Sequence, residues 1–332
     1  MDKDLSMLFQ AVAMNDINTA KSYAESFCLA CPNAFPPDFH AWLLQRLADK
    51  TSTAQEQKPK QLTIENIPPE VASLIVFESV EDMLHKFNPR RYWVSSREQI
   101  LLDDIISKSR IAEKLAKAQI PYSNTTLLYG MPGTGKTQFG RYVAYVLKRP
   151  FIYVDLCRVS GMHHGETGRN LQVIFEFVQT VPCVFVMDEI DAIGANRGAI
   201  GRGGSSDESV RTTLALMQCM DRVRQDVVII ATTNRVDMLD AALRRRFSIQ
   251  HEIKAFLIDE RTDMVFSYLN DVKETGNLEI TWDEEDIKKQ CSKMAMNQSE
   301  IINLCNRAVI RAISFDNVVR LTDEANLFRN GR

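Results

Sequence analysis

Residues 130–137 read Gly-Met-Pro-Gly-Thr-Gly-Lys-Thr, a match to G-x-x-x-x-G-K-[ST]. The octet constrains the fold because it functions only between a buried strand and the first turn of a helix. The β-rich run Thr125–Tyr129 enters it, and Thr137–Leu147 leaves it with helical spacing. Gly130, Pro132, Gly133, Thr134 and Gly135 form the loop, whose glycines let successive main-chain N–H groups turn inward without a Cβ clash. The following helix aims its positive end at the same point. Lys136 is then set to reach the β- and γ-phosphates of a bound ATP, and the Thr137 hydroxyl to ligate Mg²⁺. With Gly at about 7% of residues, a chance match in a chain this long is on the order of 1 in 100. The strand–helix setting lowers that further.

From about 88 to 254 the sequence alternates short β-rich runs with amphipathic helices, the pattern of a parallel α/β sheet. The runs are Thr125–Tyr129, Phe151–Asp155, Cys183–Asp188, Val227–Thr232 and Ser248–Ile253. Leu171, Ile174, Phe175 and Val178 recur at i, i+3, i+4, i+7 and predict one buried helix face, as do Val210, Leu214 and Met217. Residues 255–332 contain no comparable strands and read as a helical lid. There Thr281 and Glu284 suit a capping box, and Ile301, Leu304, Cys305, Ala308 and Ala312 form a stripe. Residues 1–50 read as a small helical domain that selects a partner or substrate. Residues 51–87 read as linker and connecting segment, polar and aperiodic at first and broken by Pro68-Pro69.

Two further strand tips carry chemistry. Cys183-Val184-Phe185-Val186-Met187 is an apolar run ending in Asp188-Glu189. Two carboxylates end a buried strand when its tip faces a ligand at the carboxyl edge of the sheet. Asp188 is the expected Mg²⁺ partner, and Glu189 the residue that polarises an attacking water. Val227–Ala231 runs into Thr232-Thr233-Asn234, where Asn234 could bond the γ-phosphate or the water, or simply make a turn. Arg244, Arg245 and Arg246 precede the last strand. They read either as a solvated charge cluster or, beside a phosphate site, as a source of an arginine finger.

The chain has 332 residues, 45% apolar and 25% charged, with a net charge of −3. That balance weighs against a nucleic-acid-coating protein, which needs a basic face. The N-terminus lacks an apolar signal core, and no run is long enough to span a membrane, so the expectation is a cytoplasmic protein without membrane contact. Seven scattered cysteines read as free thiols; Cys28 and Cys31 form a CxxC, but the two further ligands that a zinc site needs do not lie nearby, so these too read as structural thiols ahead of metal or redox chemistry.

Taken in order, these motifs resemble the AAA clade of AAA+ ATPases from about Tyr129 to Ile313. Val186-Met187-Asp188-Glu189-Ile190-Asp191-Ala192-Ile193-Gly194 is similar to the family's Walker B segment, and Thr232–Arg235 with Leu239–Leu243 to its second homology region. The resemblance implies a P-loop core with sheet order 5-1-4-3-2, a helical lid, and a homo-oligomeric ring, usually hexameric. It implies ATP between neighbouring subunits and arginine fingers in trans, Arg246 before Arg245. Ser299 falls where the family has the small residue of sensor 2. His163-His164 falls in the first pore loop in place of an aromatic, and Arg197 and Arg202 fall in the second. The implied function is an ATP-driven motor that remodels or unfolds a protein client; some bacterial members of similar build work beside a subtilisin-like protease. The alternatives are a motor or loader on nucleic acid, and a regulatory scaffold with a weak site. The segment before Tyr129 lacks the family's usual opening, which leaves the adenine contacts unassigned.

Overall fold

A computed structural model of the chain describes residues 67–161, 166–194, 205–293 and 296–321. Helix α1 (Pro69–Ala72), strand β1 (Val76–Glu78) and helix α2 (Val80–Lys86) come first. A 3₁₀ turn at Pro89–Arg91 leads to α3 (Ser96–Lys117). The alternating part follows as β2 (Asn124–Tyr129), α4 (Lys136–Leu147), β3 (Phe151–Asp155), α5 (Leu156–Gly161), α6 (Thr167–Val178) and β4 (Val184–Asp188). It continues through α7 (Asp191–Gly194), α8 (Ser205–Asp221), β5 (Val228–Thr233), α9 (Ala241–Arg244) and β6 (Ile249–Glu252). Last come α10 (Ile258–Gly276), β7 (Thr281–Trp282), α11 (Glu284–Lys293), α12 (Gln298–Ser314) and β8 (Val318–Val319).

The main sheet runs β1-β3-β4-β5-β2-β6. Every pair is parallel except β1 with β3. Numbering only the parallel strands in chain order and starting from the β6 edge, the order is 5-1-4-3-2. Side chains alternate across the pleat, so each strand feeds two cores. Leu127, Phe185, Met187 and Ile229 pack against α6 and α8, while Leu128, Val186 and Ile230 face α3 and α4 through Ile105, Phe139 and Val143. Both faces are covered, which explains why these strands are apolar runs without polar alternation.

The helical lid has its own core, built on Leu269, Ile287, Leu304 and Cys305. Among the described residues, no helix is long and apolar enough to cross a membrane.

Four sequence readings are corrected. The segment read as linker to residue 87 contains α1, β1 and α2 from residue 69 onward. Three residues are too few to display a period of two, and β1 is held chiefly by main-chain pairing to β3. The start of the 88–254 unit packs on the lid: Arg91 Nε lies 2.7 Å from the buried Asp271 carboxylate, and Trp93 meets Phe256 edge-on at 5.1 Å between centroids. In α8 the buried face is Thr213, Leu216, Met217 and Met220, with Leu214 exposed. Thr213 is admitted because its hydroxyl donates to the Ile193 and Ser209 carbonyls at 2.6 and 2.9 Å. In the lid, Asp283 caps α11 in place of Thr281, through the N–H groups of Glu285 and Asp286, and β7 with β8 forms a small parallel pair. Residues 1–50, with Cys28 and Cys31, and residues 51–66, read above as helical domain and linker, lie outside the described residues.

Helix α4 lies close to β4 because it presents Gly140. A Cβ there would come 2.6 Å from Cγ2 of the fully buried, stiff Val186. Gly140→Val is therefore expected to destabilise the fold by about 2 kcal/mol or more. Adding Val186→Ala should recover part of the loss in urea unfolding, and equal stability of wild type and single variant would remove the close-approach explanation.

Candidate functional site

The loop at 130–137 joins the tip of β2 to the start of α4. Gly133 and Gly135 have φ of +76° and +87°, in the left-handed region where only glycine sits without strain. At Gly133 a Cβ would also come within 2.7 Å of the Asn297 side chain. The Gly133 carbonyl accepts from Ser299 N–H at 3.1 Å and Ser299 Oγ at 3.2 Å. Ser299 therefore touches the loop, at the first turn of α12, through a main-chain group. Thr134 Oγ1 donates to the Met131 carbonyl at 2.9 Å, bracing the loop from within.

Lys136 is 7% exposed, and its Nζ donates to the carbonyls of Gly130 and Met131 at 3.0 and 2.8 Å. Burial lowers the pKa of its ammonium, and the Asp188 and Asp191 carboxylates oppose that shift. A cation held inside a ring of main-chain groups at a helix N-terminus is an anion trap.

Asp188 closes the site from the neighbouring strand tip. Its Oδ2 accepts from Thr137 Oγ1 at 2.9 Å and from Tyr153 OH at 3.1 Å, and its Oδ1 accepts from Thr232 Oγ1. A hydroxyl and a carboxylate side by side are hard oxygen donors, the set that suits Mg²⁺. Tyr153 and Thr232 were not singled out in the sequence, where each is one more residue in a strand. Burial first, and then Asp188, push the Tyr153 phenol well above its ordinary pKa, so it serves as a donor.

Glu189 follows at φ +55°, a left-handed conformation that costs a non-glycine residue of order 1 kcal/mol or more. It is exposed, and its N–H donates to Asp188 Oδ1 at 3.2 Å. The Asp155, Cys157 and Glu189 ligand atoms all lie within 4.8 Å of one another. Asn234 is exposed just beyond the end of β5, next to Thr233, whose hydroxyl donates to Asp191 Oδ1 at 2.5 Å.

The three arginines separate clearly. Arg244 bonds Gln250 Oε1 at 3.1 Å. Arg246 forms a two-pronged pair with Asp221, Nε and NH2 each 2.9 Å from a carboxylate oxygen, and also donates to the Ala242 carbonyl at 3.1 Å. Arg245 is exposed, and its guanidinium has no hydrogen bond or ion pair among the described residues. The resemblance places Arg246 before Arg245; here Arg246 is engaged within its own chain by Asp221. His163, His164, Arg197 and Arg202 lie outside the described residues.

Sequence reasoning left the walls of the site unassigned. Beside Thr134 and Gly135 opens a cleft lined by Tyr92, Trp93, Ile253, Phe256, Ile302 and Gln298 among others. The walls come from three distant segments, and no linear pattern links them.

Residues 126–255 match the family described as ATPase family associated with various cellular activities (AAA). The chain is 34% identical over 209 residues to the 26S proteasome regulatory subunit 10B of Dictyostelium discoideum, covering 61% of this chain and 51% of that protein. It is 35% identical over 192 residues to the proteasome-activating nucleotidase of Saccharolobus islandicus, covering 56% and 47%. It is 32% identical over 212 residues to the ATP-dependent zinc metalloprotease FtsH of Pelodictyon phaeoclathratiforme, covering 62% and 31%. The chain spans about half the length of the first two relatives and less of the third.

Arg246→Ala and Asp221→Ala are each expected to lower folding stability by about 1 kcal/mol, and the double variant by little more than either, since one partly exposed pair is lost in all three. Arg245→Ala should leave the denaturation midpoint unchanged. Additive losses at 246 and 221 in a double-mutant cycle would mean that the pair carries no stability.

Proposed function

We propose that this chain, whose residues 126–255 match the AAA family, is a Mg²⁺-dependent ATPase whose turnover remodels or unfolds a protein client. The observation that carries the proposal is the convergence at one sheet edge of a glycine cradle, a buried lysine, and a hydroxyl–carboxylate pair only 2.9 Å apart. Each element suits one part of a magnesium–triphosphate, and at Gly133 a Cβ would come within 2.7 Å of the Asn297 side chain.

In this reading the loop amides from Gly130 to Gly135 and the Lys136 ammonium hold the phosphates. Thr137 and Asp188 would hold Mg²⁺, which neutralises charge on the phosphate oxygens when bound. Tyr153 and Thr232 keep Asp188 aimed by donating to it. Glu189, exposed beyond the metal pair, takes the proton of the attacking water, and Asn234 orients that water or the γ-phosphate. Phosphate charge sits at the N-terminus of α4, so helix and lysine stabilise it together. The apolar cleft beside the loop accepts the base.

Arg245 is the finger, acting on the site of a neighbouring copy in a ring, in this reading a hexamer. Its exposure supports this, as does the engagement of Arg246 with its own Asp221. A protein client is favoured over nucleic acid because the relatives are named for proteasome regulation and proteolysis. The net charge of −3 agrees. A partner protease is proposed to work beside this chain where proteolysis accompanies unfolding. The His163-His164 and Arg197–Arg202 segments are proposed to contact the client, in a cytoplasmic setting.

Glu189→Gln should bind ATP with near wild-type affinity and lose turnover by about 10²-fold or more; turnover within a few-fold of wild type would remove Glu189 from the base role. Lys136→Ala and Arg245→Ala should each be inactive alone, yet regain part of the activity when mixed, because a mixed ring contains some intact composite sites. Mixed assemblies without any recovery would rule out a finger acting between subunits.

A further inference from the structure

Between α2 and α3 the chain makes an excursion to the lid. It leaves the sheet after α2, whose preceding strand β1 is paired to β3, and it returns at α3, whose Leu102 and Ile105 are buried against the sheet. The middle of this strap, residues 88–93, is bonded to α10. Asn88 Nδ2 and Arg91 Nε donate to the same oxygen of Asp271 at 2.8 and 2.7 Å, and Thr275 Oγ1 donates to the other at 3.2 Å. Asp271 is 3% exposed. The Arg91 guanidinium also lies over the Tyr268 ring, 5.8 Å from its centroid, and Ser267 Oγ donates to the Arg90 carbonyl at 3.0 Å.

Toward α4 the strap makes ring contacts instead. Tyr92 meets Tyr142 at 5.2 Å between centroids, and Phe87, just before the strap, meets Tyr142 and Tyr145 at 6.1 and 5.6 Å, all tilted. Among the described residues, no hydrogen bond or ion pair joins 88–93 to α4. The two sides differ in kind. Charge-assisted bonds to a buried carboxylate are directional and resist sliding, whereas tilted ring contacts tolerate it. A strap whose ends sit on one body and whose middle is bonded to another limits how far the two can part, and six residues reach at most about 20 Å. Arg91, Tyr92 and Trp93 also line the cleft, so the strap is one of its walls.

We propose that residues 88–93 are a latch on the lid, anchored at Asp271, that restrains its opening and so sets how fast nucleotide enters and leaves the cleft. The inference rests on the nucleotide-binding reading above. When the lid moves, the strap travels with α10 and slips on Tyr142 and Tyr145, until its ends on α2 and α3 stop it. Asp271 itself does not line the cleft. It therefore acts on the gate and not on the bound ligand. A gate restrained equally with and without nucleotide changes capture and release by the same factor and leaves the affinity as it was.

The test uses the full-length chain and ADP carrying a fluorescent methylanthraniloyl group, with capture and release followed by stopped flow. Asp271→Asn keeps the shape of the anchor and removes its charge. Both rates should rise roughly tenfold, with the dissociation constant within about threefold of wild type. Asn88→Ala, which leaves the Arg91–Asp271 pair in place, should raise both rates by a smaller factor. Arg90→Ala, which removes only the exposed pair with Glu274, should change neither. Hydrogen exchange without nucleotide should be faster in Asp271→Asn at residues 88–93, with protection in α12 unchanged. Wild-type rates in Asp271→Asn, or weaker affinity without faster capture, overturn the inference, as does loss of protection throughout α12. Should Asp271→Asn fail to fold, wild-type rates in Asn88→Ala overturn it. If wild type does not bind the labelled ADP, the proposed function falls instead, and the exchange experiment still decides whether Asp271 holds the strap.

Discussion

The parallel pairing of β2, β5 and β4 in register is the constraint on which everything else depends. Tyr129 of β2 lies opposite Thr233 of β5, and Met187 of β4 lies opposite Ala231 of the same strand. The three strands therefore end together at one edge. Thr137 then meets Asp188 at 2.9 Å although 51 residues separate them in the chain. A parallel sheet achieves this because each crossover helix returns the chain to the same end, so successive strand tips accumulate at the carboxyl edge. Main-chain hydrogen bonds and two apolar faces hold the strands, and the polar tips carry the chemistry.

The lid is tied to this edge by two kinds of contact. One is direct: Gly133 and Ser299 share a hydrogen bond, and the absence of a Cβ at Gly133 lets Asn297 approach the loop. The other runs through the segment before α3, where Arg91 and Asn88 both reach the buried Asp271 of α10. The cleft lies between these contacts, walled by the segment before α3, by the chain after β6 and by α12. A ligand filling it would bridge sheet and lid, the geometry by which nucleotide occupancy can shift a lid.

Much of this organisation was legible in the sequence. The five β-rich runs appear as parallel strands within a residue or two of their expected ends, because strands buried on both faces must be continuous and apolar. Leu171, Ile174, Phe175 and Val178 are all buried, as are Ile301, Leu304, Cys305, Ala308 and Ala312. The α8 face was misread because a hydroxyl that finds a local carbonyl can occupy the core while a leucine stays outside. Strand β1 was missed because its pairing is held by main-chain groups that every residue possesses. The N-terminal zone and both pore segments lie outside the described residues, so their reading stands on sequence alone.

By itself, the sequence determined the phosphate loop, the paired carboxylates after a buried strand, and the order of elements that carries them, since each depends on residue types at short fixed spacing. Only the tertiary structure decided which arginine is free, what orients Asp188, and which walls flank the loop. Arg245 and Arg246 are adjacent and chemically identical, and what separates them is Asp221, a residue on another helix. Gln298 is likewise unremarkable in the chain until Lys254 claims one end of its amide and burial strands the other. Such distinctions arise from contacts between residues far apart in the chain, and no local pattern encodes them.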